Sequence, residues 1–235
     1  MKQIEDLEAS GTIELGKPPH DAKVNLSMIQ FPPKRDENGA PKRRNARYCA
    51  RGDTYLAGPD VSIFAPTAPW ATVRSLLRMA CANNYVVKTF EVKAAFTSVD
   101  RTGLPDIWLS APVALGYAPG YAFHLQTNLY GFQHSPRAFY HAFSEFLIDK
   151  LKFVRCAYDK TLFKRTTTLG ITYVSLYVDD ALVVSSSDEA WEELHQEVAK
   201  TYDLSSVGNA TLHLGLTIKH HCNNGVLCLG SSNYI

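Results

Sequence analysis

The chain has 235 residues, 46% of them hydrophobic and 20% charged, a composition that supports a sizeable core and argues against disorder. Twenty-four basic residues against 23 acidic ones leave a formal charge of +1, so any basic surface that selects a partner must be local. Five cysteines without a C-x-x-C pair, carboxylates inside the longest apolar run and an acidic amino terminus exclude a disulfide scaffold, a membrane partner and a signal peptide, and fit a reducing compartment.

Residues 5–10 predict a short helix with Ile4 and Leu7 on one side, ended by Ser10-Gly11. Residues 17–45 are proline-rich, with Asn38-Gly39 expected as a hairpin turn. Between Lys34 and Arg51 lie seven basic residues (34, 35, 42, 43, 44, 47 and 51) against two acidic ones, Asp36 and Glu37. Charge alone leaves two readings open, a solvated hairpin and a finger that faces polyphosphate. Val73, Leu76, Leu77, Ala80 and Cys81 predict a helix over 72–82, and Tyr85 to Val92 reads as a strand.

Ser135-Pro136 opens another helix, with serine as N-cap and an apolar face of Phe139, Phe143, Phe146, Leu147 and Leu151. Two strands, 171–178 and 181–185, meet at Asp179-Asp180. Ser186 to Glu189 has capping-box spacing before a helix with Trp191, Leu194, Val198 and Tyr202 inward. Residues 211–221 and 226–229 pair across Asn224-Gly225. The order predicts an α+β fold: an antiparallel sheet of 86–92, 171–178, 181–185 and 211–219, backed by helices.

The most informative segment is Val174 to Val184, where Asp179 and Asp180 interrupt a run that otherwise wants burial. Two unpaired carboxylates there repel each other and resist desolvation, a conflict that a divalent cation removes. A polar turn between strands is the other reading, since aspartate suits turns. A third carboxylate would decide, and Glu91 at the end of the 85–92 strand offers one.

Several segments resemble one family along nearly the whole chain. They are Tyr177-Val178-Asp179-Asp180, Leu129-Tyr130-Gly131-Phe132-Gln133-His134-Ser135-Pro136-Arg137, Glu91-Val92-Lys93-Ala94-Ala95-Phe96, Ala46 to Gly52, Phe64-Ala65-Pro66, Ile4 to Leu15 and Leu214-Gly215-Leu216. Together they are similar to the reverse transcriptase of copia-type retrotransposons, whose counterparts include Tyr-Val-Asp-Asp, Leu-Tyr-Gly-Leu-Lys-Gln-Ser-Pro-Arg and Asp-Val-Lys-Thr-Ala-Phe. The resemblance implies the fingers and palm of an RNA-directed DNA polymerase, with about 1–84 mainly fingers and 85–235 mainly palm with a fingers insertion. The family's thumb and ribonuclease H would follow in the polyprotein.

By resemblance, Glu91, Asp179 and Asp180 form the catalytic carboxylate set, with the Val92 carbonyl as a further ligand. They would hold two Mg²⁺ ions, or Mn²⁺ in their place, about 3.5–4 Å apart. Arg47, Arg51, Phe96 and Gly131 would bind the deoxynucleoside triphosphate, Phe96 by closing off the sugar 2′ position. Gln133, Ser135, Pro136 and Tyr177 would meet an RNA or DNA template-primer. The remaining expected partners are the integrase and ribonuclease H of the polyprotein, and the expected location is cytoplasmic, in a virus-like particle.

Four departures from the family pattern imply an alternative. Position 91 is Glu for Asp, which moves the carboxylate by about one C–C bond, roughly 1.5 Å. That matters because Mg²⁺ asks for near-octahedral ligands at about 2.0–2.1 Å. Gln133-His134 stands for Lys-Gln, Met28-Ile29 for Lys-Trp, and Pro32-Pro33 is expected to interrupt a paired strand. The alternative is a degenerate or repurposed polymerase-like remnant that binds nucleic acid or protein.

Overall fold

Helices form where apolar spacing asks for them, and their ends show which residues stop them. The computed structural model describes residues 2–31, 33–35, 41–44, 46–55, 62–101, 105–221 and 226–230. Helix Lys2–Ala9 buries Ile4 and Leu7. Helix Trp70–Asn83 buries Val73, Leu76, Leu77 and Ala80, and stops at Asn84, whose φ of 54° is left-handed. Asparagine tolerates that conformation better than most residues. No helix among the described residues is long and apolar enough to cross a membrane.

Helix Ser135–Glu145 continues into a π turn, Phe146–Lys150, and buries Phe139, Phe143, Leu147 and Leu151 as expected. Its cap is a correction. The Ser135 hydroxyl donates to the Leu129 carbonyl at 2.7 Å, while the carbonyl of His134 accepts the Ala138 N–H. His134 therefore holds the N-cap position. The cap of helix Asp188–Ala199 shifts likewise: Ser187, not Ser186, accepts from Ala190 N–H at 3.1 Å. Ser186 Oγ instead accepts from Ile171 N–H.

The chain divides into two compact units. The first comprises residues 1–64 and 96–139, the second 65–95 and 140–235. In the first, strands Ile13–Gly16, Ala122–Leu125 and Trp108–Ser110 pair antiparallel, and Val24–Asn25 adds parallel to Trp108–Ser110. Ile13, Tyr48, Leu109, Phe123 and Leu129 lie in its core. Two ribbons accompany this sheet, Ser27–Gln30 with Arg47–Ala50 and Pro33–Arg35 with Pro41–Arg44. Pro33 thus sits within a paired strand, opposite Arg44. A two-stranded ribbon has only edges, where proline's missing donor is tolerated. The expected turn at Asn38-Gly39 and the neighbouring Pro32 lie outside the described residues.

The second unit carries a six-stranded antiparallel sheet in the order Val154–Arg155, Leu162–Thr167, Gly170–Tyr177, Asp180–Ser185, Val86–Val92, Leu204–Asn209. Ala181 to Ser185 are all buried, because both faces of that central strand are covered. Leu182, Val184 and Val87 pack with the Trp70–Asn83 helix on one face. On the other, Phe90 meets the rings of Phe143 and Trp191 at 6.3 and 6.4 Å.

The fourth expected strand is corrected. Residues 211–219 do not join this sheet; Leu204–Asn209 takes the place beside Val86–Val92. Leu212–His213, Leu216–His221 and Val226–Gly230 form a separate three-stranded sheet. The break falls at Leu214 and Gly215, both at positive φ, which folds the expected single strand into a hairpin. Leu216–His221 and Val226–Gly230 do pair as anticipated, although Asn224-Gly225 itself lies outside the described residues.

Arg165, 7% exposed, ties the sheet to the last helix: its guanidinium donates to Glu197 at 2.6 Å and Glu193 at 2.8 Å. Only the arginine is buried, and water can reach the two half-buried carboxylates it leaves, so Arg165→Ala is expected to cost about 2 kcal/mol in urea unfolding, the scale for hydrogen bonds to charged groups. Lys88→Ala, which loses a pair with the exposed Asp188, should cost less than about 1 kcal/mol in the same measurement.

Candidate active site

The two strands of the central hairpin close through the shortest loop a hairpin allows. Tyr177 and Asp180 are Cα partners, leaving Val178 and Asp179 as its two loop residues. The φ of Val178 is 58°. A two-residue hairpin needs positive φ at its first loop position, normally supplied by glycine. A β-branched residue there is strained by about 1–3 kcal/mol. The Asp179 carbonyl accepts the Val92 N–H at 2.9 Å, which fastens the turn to the neighbouring strand.

Register then brings the carboxylates together. Asp180 is the direct partner of Glu91, and Glu91 that of Ser205. Directly opposed residues of antiparallel strands share a face. Glu91 therefore lies on the same side as Asp180. Burial, then Asp179, then Glu91 push the Asp180 carboxyl up to about 6. The Glu91 carboxylate is turned sideways: its Oε2 accepts from Ser205 Oγ at 3.1 Å and Ser206 Oγ at 3.3 Å. Tyr177 is exposed at the hairpin end, and Val92 is buried.

In the first unit, three of the expected residues gather on Tyr130. The Arg47 guanidinium lies 5.2 Å from the Tyr130 ring centre, and Phe96, buried, lies 4.6 Å from it. Gly131 follows at φ 97°, and a Cβ there would come within 2.0 Å of the Ala50 carbonyl oxygen. Arg51 is not in that group; it forms an exposed pair with Asp53 at 2.6 Å. Gln133 is exposed and Pro136 half-buried, while the buried Ser135 hydroxyl is used within the fold.

Sequence reasoning did not single out Tyr130, Ser205, Ser206 or the buried pair of His134 and Arg101. His134 Nε2 lies 3.4 Å from an Arg101 nitrogen, and burial and then that charge push its pKa down to about 4. Tyr130 lay within a quoted motif and could have been found. A Ser-Ser pair carries no signal.

The family described as reverse transcriptase (RNA-dependent DNA polymerase) matches residues 11–235. The chain belongs to the reverse transcriptase family.

Relatives place this reverse transcriptase domain among retrotransposon Pol polyproteins. It is 26% identical over 238 residues to the Retrovirus-related Pol polyprotein from transposon TNT 1-94 of Nicotiana tabacum, covering 100% of this chain and 18% of that protein. It is 25% identical over 205 residues to the corresponding polyprotein from transposon RE1 of Arabidopsis thaliana, covering 86% of this chain and 14% of that one. The putative transposon Ty5-1 protein of Saccharomyces cerevisiae is 32% identical over 117 residues, half of this chain and 37% of that protein. The chain thus spans less than a fifth of the plant polyproteins. Among solved structures, a foamy viral protease-reverse transcriptase in complex with double-stranded DNA shares the fold. Its TM-score is 0.50 at 15% identity, over 97% of this chain and 34% of that one.

In charge, the carboxylates of this reverse transcriptase domain fit a divalent cation, because Asp180 faces two like charges in a half-buried place. In geometry, among the described residues no group of three His, Cys, Asp or Glu side chains is set to hold a metal ion. The sideways turn of Glu91 onto the serines accompanies that gap.

The raised Asp180 value fixes a sign. Folding takes up a proton at Asp180, so this group's contribution to stability is full below about pH 4 and lost as pH rises through about 6. Asp180→Asn should therefore raise the metal-free melting temperature at pH 7.5 by a few degrees. The gain should vanish towards pH 4, as thermal melts in chelator would show.

Proposed function

We propose that the domain joins deoxynucleotides to a primer 3′-hydroxyl on an RNA or DNA template, using divalent cations held by Asp179, Asp180, Glu91 and the Val92 carbonyl. The observation that carries this reading is the Asp180–Glu91 rung beside Asp179, three carboxylates at one end of a sheet with Asp180 pushed up by burial and then by the other two. Mg²⁺ or Mn²⁺, when bound, supplies the Lewis-acid chemistry that readies the primer hydroxyl and neutralises the pyrophosphate.

The chain's own groups do the rest. Asp179 and Asp180 supply negative charge at the hairpin turn, and the Val92 N–H keeps that turn in place through the Asp179 carbonyl. Arg47, steadied on the Tyr130 ring, offers a planar guanidinium to triphosphate oxygens. Arg51 would do the same after leaving Asp53. Phe96, backed by the same ring, excludes a ribose 2′-hydroxyl. Gly131 lets the backbone approach the nucleotide, and Gln133, Ser135, Pro136 and Tyr177 line the template-primer. Residues 1–84 are read as mainly fingers and 85–235 as mainly palm with a fingers insertion, working within a Pol polyprotein that carries integrase and ribonuclease H.

A second reading, a remnant that binds nucleic acid without turnover, is favoured by one observation: Glu91 is turned onto Ser205 and Ser206. Incorporation of deoxynucleotide on a primed RNA template with Mg²⁺ or Mn²⁺ separates the two. The first reading expects short extension products that fall at least about 10²-fold in Asp179→Asn, the scale for removing a group that stabilises transition-state charge. Duplex binding without incorporation under either metal assigns the second.

A further inference from the structure

The Arg51 side chain holds a carboxylate on N–H groups of the kind that grip a phosphate. Its Nε donates to Asp53 Oδ1 at 3.3 Å and its Nη2 to Asp53 Oδ2 at 2.6 Å, a bidentate fork. The backbone builds this pairing. The Arg51 N–H donates to the Leu26 carbonyl at 2.9 Å. The Arg51 carbonyl accepts from Thr54 N–H at 3.0 Å, Thr54 Oγ1 at 2.8 Å and Tyr55 N–H at 3.2 Å. That closed turn sets the carboxylate of residue 53 against the guanidinium of residue 51. The backbone of Arg51 is also fixed beside that of Tyr130 and Gly131. Ala50 N–H donates to the Tyr130 carbonyl at 2.9 Å, and a Cβ at Gly52 would strike the Gly131 carbonyl oxygen at 2.0 Å. Between residues 46 and 55 the charged side chains are Arg47, Arg51 and Asp53, so Asp53 is the one acidic group there.

We propose that Asp53 is an internal competitor for polyphosphate: it occupies the fork of Arg51 and so lowers the affinity of the first unit for a nucleoside triphosphate. The proposal rests on the reading that Arg47 and Arg51 meet the triphosphate. Carboxylate and phosphate both suit the planar fork of a guanidinium. The edge of Arg51 that faces Asp53 cannot serve both, so a triphosphate gains it only by displacing the carboxylate. Displacement is feasible because the pair is exposed, and exposed pairs hold weakly. Arg47 carries no such competitor, since among the described residues it is in no ion pair and lies over the Tyr130 ring. Asp53 therefore acts on affinity through Arg51 and touches no reacting atom.

The test is a substitution cycle on the full chain, titrated calorimetrically with inorganic tripolyphosphate in chelator. Asp53→Asn should tighten tripolyphosphate binding about fivefold, the upper scale for releasing an exposed ion pair. The same substitution placed on Arg51→Ala should change the affinity less than about twofold, since no occupied fork remains to release. Asp53→Glu, which keeps a carboxylate, should stay within about twofold of the unsubstituted chain. Arg47→Ala should weaken binding in the unsubstituted chain, which checks the triphosphate reading independently of Asp53.

An equal gain from Asp53→Asn with arginine and with alanine at position 51 would overturn the competitor, because it would report only a lost negative charge. It would leave the triphosphate reading standing. No gain from Asp53→Asn, or a gain that Asp53→Glu shares, would also overturn the competitor. Tripolyphosphate binding absent from both the unsubstituted chain and Asp53→Asn would overturn the triphosphate reading, and the competitor with it. Binding that neither Arg47→Ala nor Arg51→Ala weakens in any background would do the same.

Discussion

Asp180 facing Glu91 across one rung of a sheet is the constraint on which the second unit turns. Like charges directly opposed destabilise a strand pair, and here the rung also lies next to Asp179. The strand that bears the cost is the one least free to slip. A one-residue shift would put every side chain of Ala181 to Ser185 on the wrong face, and both faces are already filled. Burial of the strand therefore holds the carboxylates in register against their own repulsion. The strain at Val178 belongs to the same arrangement, because the tight turn starts Asp180 at the first rung of the ladder.

What the sequence made legible was whatever broke a pattern. Asp179 and Asp180 stood out because they interrupt an apolar run, and Val73, Leu76, Leu77 and Ala80 because they keep helical spacing. Position 91 is different, since nothing in Tyr85 to Val92 says which strand it will pair with. It was offered as a third carboxylate only by its place at the end of that strand and then by the resemblance, and the register sets it opposite Asp180. The Leu204–Asn209 strand stayed hidden for a physical reason. It alternates nothing, contains Ser-Ser and Gly, and pairs through an irregular register. Its place was given to residues 211–219, which look more like a strand and serve elsewhere.

Capping errors had a similar origin. Ser186 and Ser187 are chemically equivalent in a sequence, and only the backbone decides which accepts from the helix. Ser135 was expected to cap because serine before proline suits a helix start. Its complete burial instead turned the hydroxyl onto the Leu129 carbonyl. In each case a competing backbone acceptor or donor from outside the helix settled the matter, Leu129 for Ser135 and Ile171 for Ser186.

The close approach of residues 50–52 to 131 has a consequence for how such a chain can drift. A side chain at Gly131 would strike the Ala50 carbonyl oxygen at 2.0 Å, and one at Gly52 would strike the Gly131 carbonyl oxygen at the same distance. Each obstacle is main chain, present whatever residue occupies the neighbouring position. No second-site change of side chain can therefore make room. Most contacts in a protein can be traded for others as copies diverge, large for small or one charge for its opposite. These two glycines have no such exchange of side chains open to them, and a copy that loses either one must move main chain to make room.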